Sequence, residues 1–437
     1  MESIFKGTIT SYKNYKIPFQ LKDGHLRLDV SNVPSNEINR IDINGNEIFG
    51  GIPRFNQEYL EGKTDDGLII KLHVHSYYDG EQCFGYSIEQ PHYIYGNVSS
   101  CIVLERDSNI DKVGFFSFDI NKITGHSYSG QLTESDLKSF GYNDYLADYI
   151  ENNNKYYVRH DFLYKKPFVN TSIIAVDSDK PLSLIMMEDI YWTFRTTLSF
   201  LYQRKDVPIL DSVLISDDSL IGHLFIQKSD VNNSASLGVK CLQVMGWGDK
   251  LSNLFQAIVD KKIYSRHLPY YEKERNTYNA SRYLMTVIGL ESTIDTCGIK
   301  VQHSSKHQAA INEVTEELTK LRESSNRIKR KEYNKIIFNY NNDRFEDKIN
   351  AAIKENIDYI TNFYNINQLV SKSTLLGAKI AKSRNKFAHG NLEEDLNEEH
   401  VNQCGFLDLF ILYLQLLYIG FSKKEASEIV PLITRER

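Results

Sequence analysis

A chain of 437 residues and 50.6 kDa is too long for one ordinary domain, so two or three are expected. A net charge of −6 argues against a protein that coats duplex nucleic acid, so any contact with RNA must be local. The five cysteines (Cys83, Cys101, Cys241, Cys297, Cys404) are scattered and include no CxxC pair, which speaks against a secreted disulfide scaffold and for a reducing cytosol.

The chain starts MESIFK, without a signal-peptide pattern, so a cytoplasmic setting is expected. The first part reads as β-structure. Short runs rich in β-branched and aromatic residues occur at 67–75, 100–105 and 113–120. Turn signals separate such runs at Asp23-Gly24, Asn44-Gly45, Asp66-Gly67 and Asp79-Gly80. This spacing predicts a sandwich or a curled antiparallel sheet. Residues 133–165 have helical and mixed character, 181–205 reads as one helix, and 207–228 is strand-like. The polar stretch 229–236 marks a boundary, giving a β-rich domain over 1–235 and a helical domain over 236–437. The expected fold class is therefore α+β.

Beyond about residue 246 the periodicity is helical. Helices are predicted over 249–264, 275–296, 305–325, 329–340, 345–363, 367–388, 394–420 and 422–430. Only Pro269 and Pro431 lie in this half, which suits an uninterrupted bundle. Within 275–296, Leu284, Ile288, Glu291 and Asp295 share one face. The run FLDLFILYLQLLYIG (406–420) is too short to cross a bilayer comfortably and contains Asp408, so it reads as a buried core helix, with no membrane partner.

The helix 367–388 ends in KIAKSRNKFAHGN. At about 100° per residue from Leu376, Ile380 and Phe387 fall near 40° and 20°, which makes a buried stripe. Arg384 lies at its edge, near 80°. Lys379, Lys382 and Lys386 form a separate basic stripe suited to backbone phosphates. Gly390-Asn391 is a stop signal, so His389 is expected at the helix end, where the dipole favours a cation.

These residue types fit RNA cleavage. The 2′-hydroxyl is the nucleophile; a base must take its proton and an acid must protonate the leaving 5′-oxygen. Histidine does such work near neutral pH. Arginine holds phosphate oxygens in a fork and keeps its charge, so no metal or other cofactor is required. Arg384 and His389 diverge by about 140° around a regular helix. One chain thus supplies half a site, and a homodimer, or an even-numbered assembly of dimers, is expected to complete it. The plain alternative is a capping histidine beside a solvated basic face.

RNKFAHG at the end of a helix in an α-helical bundle resembles the signature of the HEPN superfamily, matched here by Arg384, Asn385 and His389. The layout, including FKGTITSYKNYKIPFQLKDGHLRLDV and EGKTDDGLIIKLHVH near the start, is similar to antiphage-defence HEPN proteins with a β-rich N-terminal region. The resemblance implies a HEPN bundle and a metal-independent endoribonuclease leaving 2′,3′-cyclic phosphates. It also implies host RNA, tRNA in particular, as substrate, and translation shutdown during infection. Asn385 would orient the site or the dimer partner. HEPN toxins silenced by nucleotidyltransferase antitoxins often carry Tyr two residues after the His; Asn391 stands there. An acidic helper on an earlier helix occurs in some HEPN proteins, and Glu291 is the candidate, with a buried ion pair as the alternative. A non-catalytic RNA- or protein-binding module and a toxin held by a separate antitoxin remain as other readings.

Elsewhere, His303 and His307 at i, i+4 could hold a metal or simply begin a helix, and His73, His75 and His92 could do so on the sheet. Tyr77, Tyr78, Phe84, Tyr86, Tyr93 and Tyr95 make either a recognition surface or sheet packing. The acids Glu393, Glu394 and Asp395 are expected to start the last long helix. GxxxxGK, HExxH and GxSxG are absent from the sequence. A defence nuclease must stay silent until infection, so the N-terminal domain is the expected sensor of a phage-derived activator.

Overall fold

The computed structural model describes residues 4–41, 52–55, 57–78, 92–116, 120–124, 144–165, 168–207, 211–217, 219–227, 241–341, 343–365, 376–389 and 396–434. The chain is an α+β protein of two compact units. One comprises 1–198, 207–239 and 243–259, the other 199–206, 240–242 and 260–437.

The first unit is built on antiparallel strands, and alternation creates its core. In β2 (Ile17–Lys22), β3 (His25–Asp29) and β6 (Tyr59–Thr64) every second residue is buried, and β1 (Ile4–Ile9) alternates in the same way with Phe5 half-buried. With β7 (Ile69–Tyr78) and β8 (Tyr93–Leu104) they run in the order β8-β3-β2-β1-β6-β7, and β7 pairs back with β8. The sheet therefore closes into a six-stranded barrel around Ile17, Leu21, Leu26, Leu60, Leu72 and Val98. Closure uses the long β8, whose Tyr93–Asn97 half pairs with β3 while its Ser100–Leu104 half pairs with another strand. Gly7 and Gly62 lie where β1 and β6 meet, opposite Thr64 and Ile9, and a β-carbon on either would strike the neighbouring strand's backbone.

From β8 the sheet continues open through β14 (Ser219–Ile226), β13 (Asp211–Ser216), β9 (Lys112–Phe116), β12 (Phe168–Ser178), β11 (Asn154–Lys165) and β10 (Asp144–Glu151). The curled antiparallel sheet is observed and the two-layer sandwich is not, because β8 splits its pairing and lets the first strands close on themselves. Two short strands, β4 (Asn39–Ile41) and β5 (Ile52–Arg54), pair separately.

Asp23 and Gly24 both have positive φ, the turn that their identities predict for the β2–β3 hairpin. The mixed helical character expected over 133–165 is corrected within 144–165, which forms the β10–β11 hairpin; 133–143 lies outside the described residues. The overlooked signal is Asn152-Asn153, both at positive φ between strands of eight and twelve residues. The first unit also holds α1 (Ile120–Thr124), residues up to Leu198 of α2 (Leu184–Tyr202), and α3 (Asp249–Val259). The unit thus extends past the expected boundary at 235. Helix α3 covers edge strand β10: Ser252 Oγ and Gln256 Oε1 accept from the N–H groups of Asp148 and Ile150, at 3.0 and 2.9 Å.

The second unit is helical: α4 (Ala280–Thr296), α5 (Ser305–Glu323), α6 (Arg327–Asn341), α7 (Phe345–Ile360), α8 (Leu376–Ala388), α9 (Glu398–Tyr418) and α10 (Lys423–Thr434). Asn279, Ser304 and Asn397 cap α4, α5 and α9 by accepting a backbone N–H three residues on. Helix α9 contains the apolar run and is apolar all round, so it occupies the centre of the unit, with Phe406, Leu407, Phe410, Ile411, Leu414 and Leu416 inaccessible. Its Asp408 is paired with Arg282 of α4 at 2.7 Å and accepts from Thr286 at 3.1 Å. Glu398 and Glu399 supply its first-turn acids; Glu393, Glu394 and Asp395 lie outside the described residues. Helix α10 runs on to Thr434 through Pro431, beyond the expected end at 430.

Candidate active site

Helix α8 presents the motif. Leu376, Ile380 and Phe387 are buried, the stripe that the spacing predicts, and Gly377 is buried with them. Gly377 is placed against α7: its N–H donates to Asn350 Oδ1 at 3.1 Å, and a β-carbon there would overlap the Glu346 carbonyl oxygen. Phe387 packs edge-on against Tyr283 of α4 and His400 of α9, with ring centroids 5.2 and 5.3 Å apart. These contacts hold the motif-bearing end of α8 against two other helices.

Arg384 emerges at the margin of this stripe with its side chain 37% exposed. One Nη faces Glu291 of α4 at 3.5 Å and the other donates to Asn385 Oδ1 at 3.3 Å. Its Nε is buried with no hydrogen-bond partner among the described residues. The exposed Nη end of the guanidinium, held only by the long contact to Glu291 and by Asn385, is the part able to take an anion. His389 lies one residue past the end of α8 and is exposed; its N–H still bonds to the Asn385 carbonyl at 3.2 Å. No hydrogen bond joins Arg384 to His389 among the described residues, and Gly390 and Asn391 lie outside them.

The core face of α4 is Tyr283, Val287, Leu290 and Ile294, one step round from the face expected through Leu284, Ile288, Glu291 and Asp295. Apolar residues occur on both faces, so periodicity alone left the rotation ambiguous. Glu291 is consequently at the rim, where it meets Arg384. Lys379, Lys382 and Lys386 are all exposed, as expected of the basic stripe. Lys379 is held by Glu399 of α9 at 2.7 Å.

His400 escaped the sequence reading. Its Nε2 lies 3.1 Å from Ser383 Oγ, beside Arg384, and its ring packs on Tyr283 at 5.4 Å. Tyr283 donates in turn to Gln403 at 2.7 Å, and burial drives its phenol pKa strongly upward. The only advance signal was a histidine three residues after a capping Asn397.

The other histidines form no metal centre: among the described residues no group of three His, Cys, Asp or Glu side chains could hold an ion. His303 pairs with Asp343 at 2.7 Å and stacks on His307 at 4.9 Å. His73 Nδ1 meets both Glu188 and Ser99 at 2.8 Å and its ring stacks on Tyr59. Hydroxyl and carboxylate share one ring nitrogen, so the trio lacks the relay of a hydrolytic triad. Tyr78, Tyr93 and Tyr95 neighbour one another on β7 and β8, and the Arg27 guanidinium covers Tyr93 at 3.8 Å. Phe84 and Tyr86 lie outside the described residues.

Comparisons with models of protein families, with curated proteins and with solved structures find no match to this chain.

Proposed function

We propose that this protein is a metal-independent endoribonuclease of the HEPN type, with Arg384 binding the scissile phosphate and His389 acting as general acid or base. The observation that carries the reading is the mounting of the motif. Arg384 sits at the rim of a packed helix with its guanidinium part-exposed, and His389 stands exposed at the helix end. Asn385 accepts from Arg384 and orients it. Lys379, Lys382 and Lys386 gather backbone phosphates, and Glu291 holds Arg384 until phosphate replaces it.

One Arg and one His without a mutual bond are half of a site, so the active form is a homodimer or an even-numbered assembly of dimers. The β-rich domain serves as sensor or scaffold for a phage-derived activator, in a layout resembling the antiphage-defence protein ApeA. Host RNA, tRNA among it, is the substrate class, and its cleavage in the cytoplasm shuts down translation in the infected cell.

Purified protein in EDTA is expected to cut RNA, and His389→Ala to abolish cutting while the dimer persists. The rival reading, a non-catalytic module docking RNA or protein through the same basic helix, draws on the exposed lysines of α8. It is supported instead if wild-type protein binds RNA and leaves it intact.

A further inference from the structure

Helices α5 and α6 pack against each other, and none of their described residues is fully buried. Helix α6 carries Arg327, Lys329, Arg330, Lys331 and Lys335 against a single acid, Glu332. At about 100° per residue, Arg327, Lys331 and Lys335 line one face at successive turns, about 6 Å apart. Phe338 and Ile328 fall on that same face, 69% and 78% exposed. Tyr333 and Ile337, half-buried, point the other way. Arg327 and Lys331 form no ion pair among the described residues, and Lys335 has only the exposed i, i+3 pair with Glu332 at 2.9 Å. Such a pair is easily exchanged for another anion.

An evenly spaced row of cations with an exposed aromatic just beyond its last member suits a strand of phosphates bearing bases. Protein–protein interfaces are depleted of lysine, whereas nucleic-acid interfaces are rich in cations. On a chain whose net charge is −6, this concentration of positive charge is local.

We propose that this face of α6 is a docking stripe for single-stranded RNA, in which Arg327, Lys331 and Lys335 take successive phosphates and a base stacks on Phe338. The stripe lies outside the motif on α8 and contributes binding rather than chemistry. The choice of RNA as the polyanion rests on the nuclease reading above.

The test is the affinity of full-length His389→Ala protein for a short fluorescein-labelled single-stranded RNA, followed by anisotropy across a salt series. Cleavage by the His389-intact chain is measured separately. Replacing Arg327 and Lys331 by Gln should weaken binding at least tenfold. It should also reduce the slope of log affinity against log salt by about 1.4, at roughly 0.7 per phosphate contact on a single strand. Phe338→Ala should weaken binding about tenfold with the slope unchanged, because stacking carries no charge. Arg327 and Lys331 are exposed, so circular dichroism and melting of the two-cation variant should match the parent, and Phe338→Ala should keep the parental helix content.

If binding falls in this way while the intact chain cleaves nothing, the stripe stands and the nuclease reading fails. The proposal is overturned if the parent binds no RNA or if the stripe variants bind as the parent does. It is also overturned if the two-cation variant keeps the parental salt slope. Unchanged RNA binding with a changed assembly mass would make the stripe a contact between copies of the chain.

Discussion

Glu291 separates two accounts of the Arg384 environment. If it only positions Arg384, Glu291→Gln removes a charge partner while keeping shape and a hydrogen-bonding amide. The pair is long, 3.5 Å, and its side chains are 37% and 36% exposed. An exposed ion pair of this kind contributes at most about 1 kcal/mol, so the melting temperature should move by only a few degrees. Looser positioning of Arg384 by a similar energy reduces the cleavage rate by about tenfold or less, since 1.4 kcal/mol corresponds to a factor of ten. A proton-transferring Glu291 would instead cost about a hundredfold to ten-thousandfold. The assay is single-turnover cleavage of labelled RNA across pH. The positioning role predicts a small loss, an unchanged shape of the pH–rate profile, and partial recovery in Glu291→Asp. A loss beyond a hundredfold, or removal of one limb of the profile, refutes it.

Phe387→Ala, at a ring 1% exposed between Tyr283 and His400, should destabilise the helical unit by about 3–5 kcal/mol in urea unfolding. Gly377→Ala should also destabilise it, since α8 must shift away from the Glu346 carbonyl; an unchanged midpoint would contradict that packing. Acid stability turns on two groups of the helical unit, the buried His267 and the half-buried Asp408. Burial, with Arg282 and Lys205 nearby, lowers the His267 pKa to about 3, so the folded state refuses a proton that the unfolded chain accepts below about 6.5. Stability from His267 is therefore present above about pH 6.5 and lost at about 1.4 kcal/mol per pH unit as pH falls towards 3. Burial raises Asp408 to about 6 despite Arg282, so its contribution is present below about pH 4 and lost as pH rises through 6. The two slopes oppose each other between about pH 4 and 6. Unfolding free energy across that window should be nearly flat in wild type, and Asp408→Asn, although less stable throughout, should uncover the His267 slope. An unaltered pH dependence in that variant would refute the pairing.

Periodicity revealed most of the helical half, because each helix carries its own apolar stripe: Ile380 and Phe387 fix the rotation of α8 without reference to its neighbours. It misjudged α4, where Leu284 and Ile288 compete with Tyr283 and Val287 and only packing against α8 and α9 decides. Barrel closure was hidden because it depends on β8 dividing its pairing between β3 and β14, a long-range register that no local pattern encodes. The β10–β11 hairpin was hidden because Asn-Asn is a weaker turn signal than Asn-Gly. Within the site, Arg384, Asn385, His389 and the lysines were visible as one helix. The link between His400 and Ser383 was not, since it joins residues 17 positions apart on different helices.

The central claim is that Arg384 and His389 cut RNA without a metal. Its most direct measurement is the chemistry of RNA ends left by purified full-length protein in EDTA, compared between wild type and His389→Ala of equal assembly mass. Wild type should leave 2′,3′-cyclic phosphate ends, and the variant should lose them by about a hundredfold or more. Cleavage abolished by EDTA, or equally fast cleavage by His389→Ala, would contradict it.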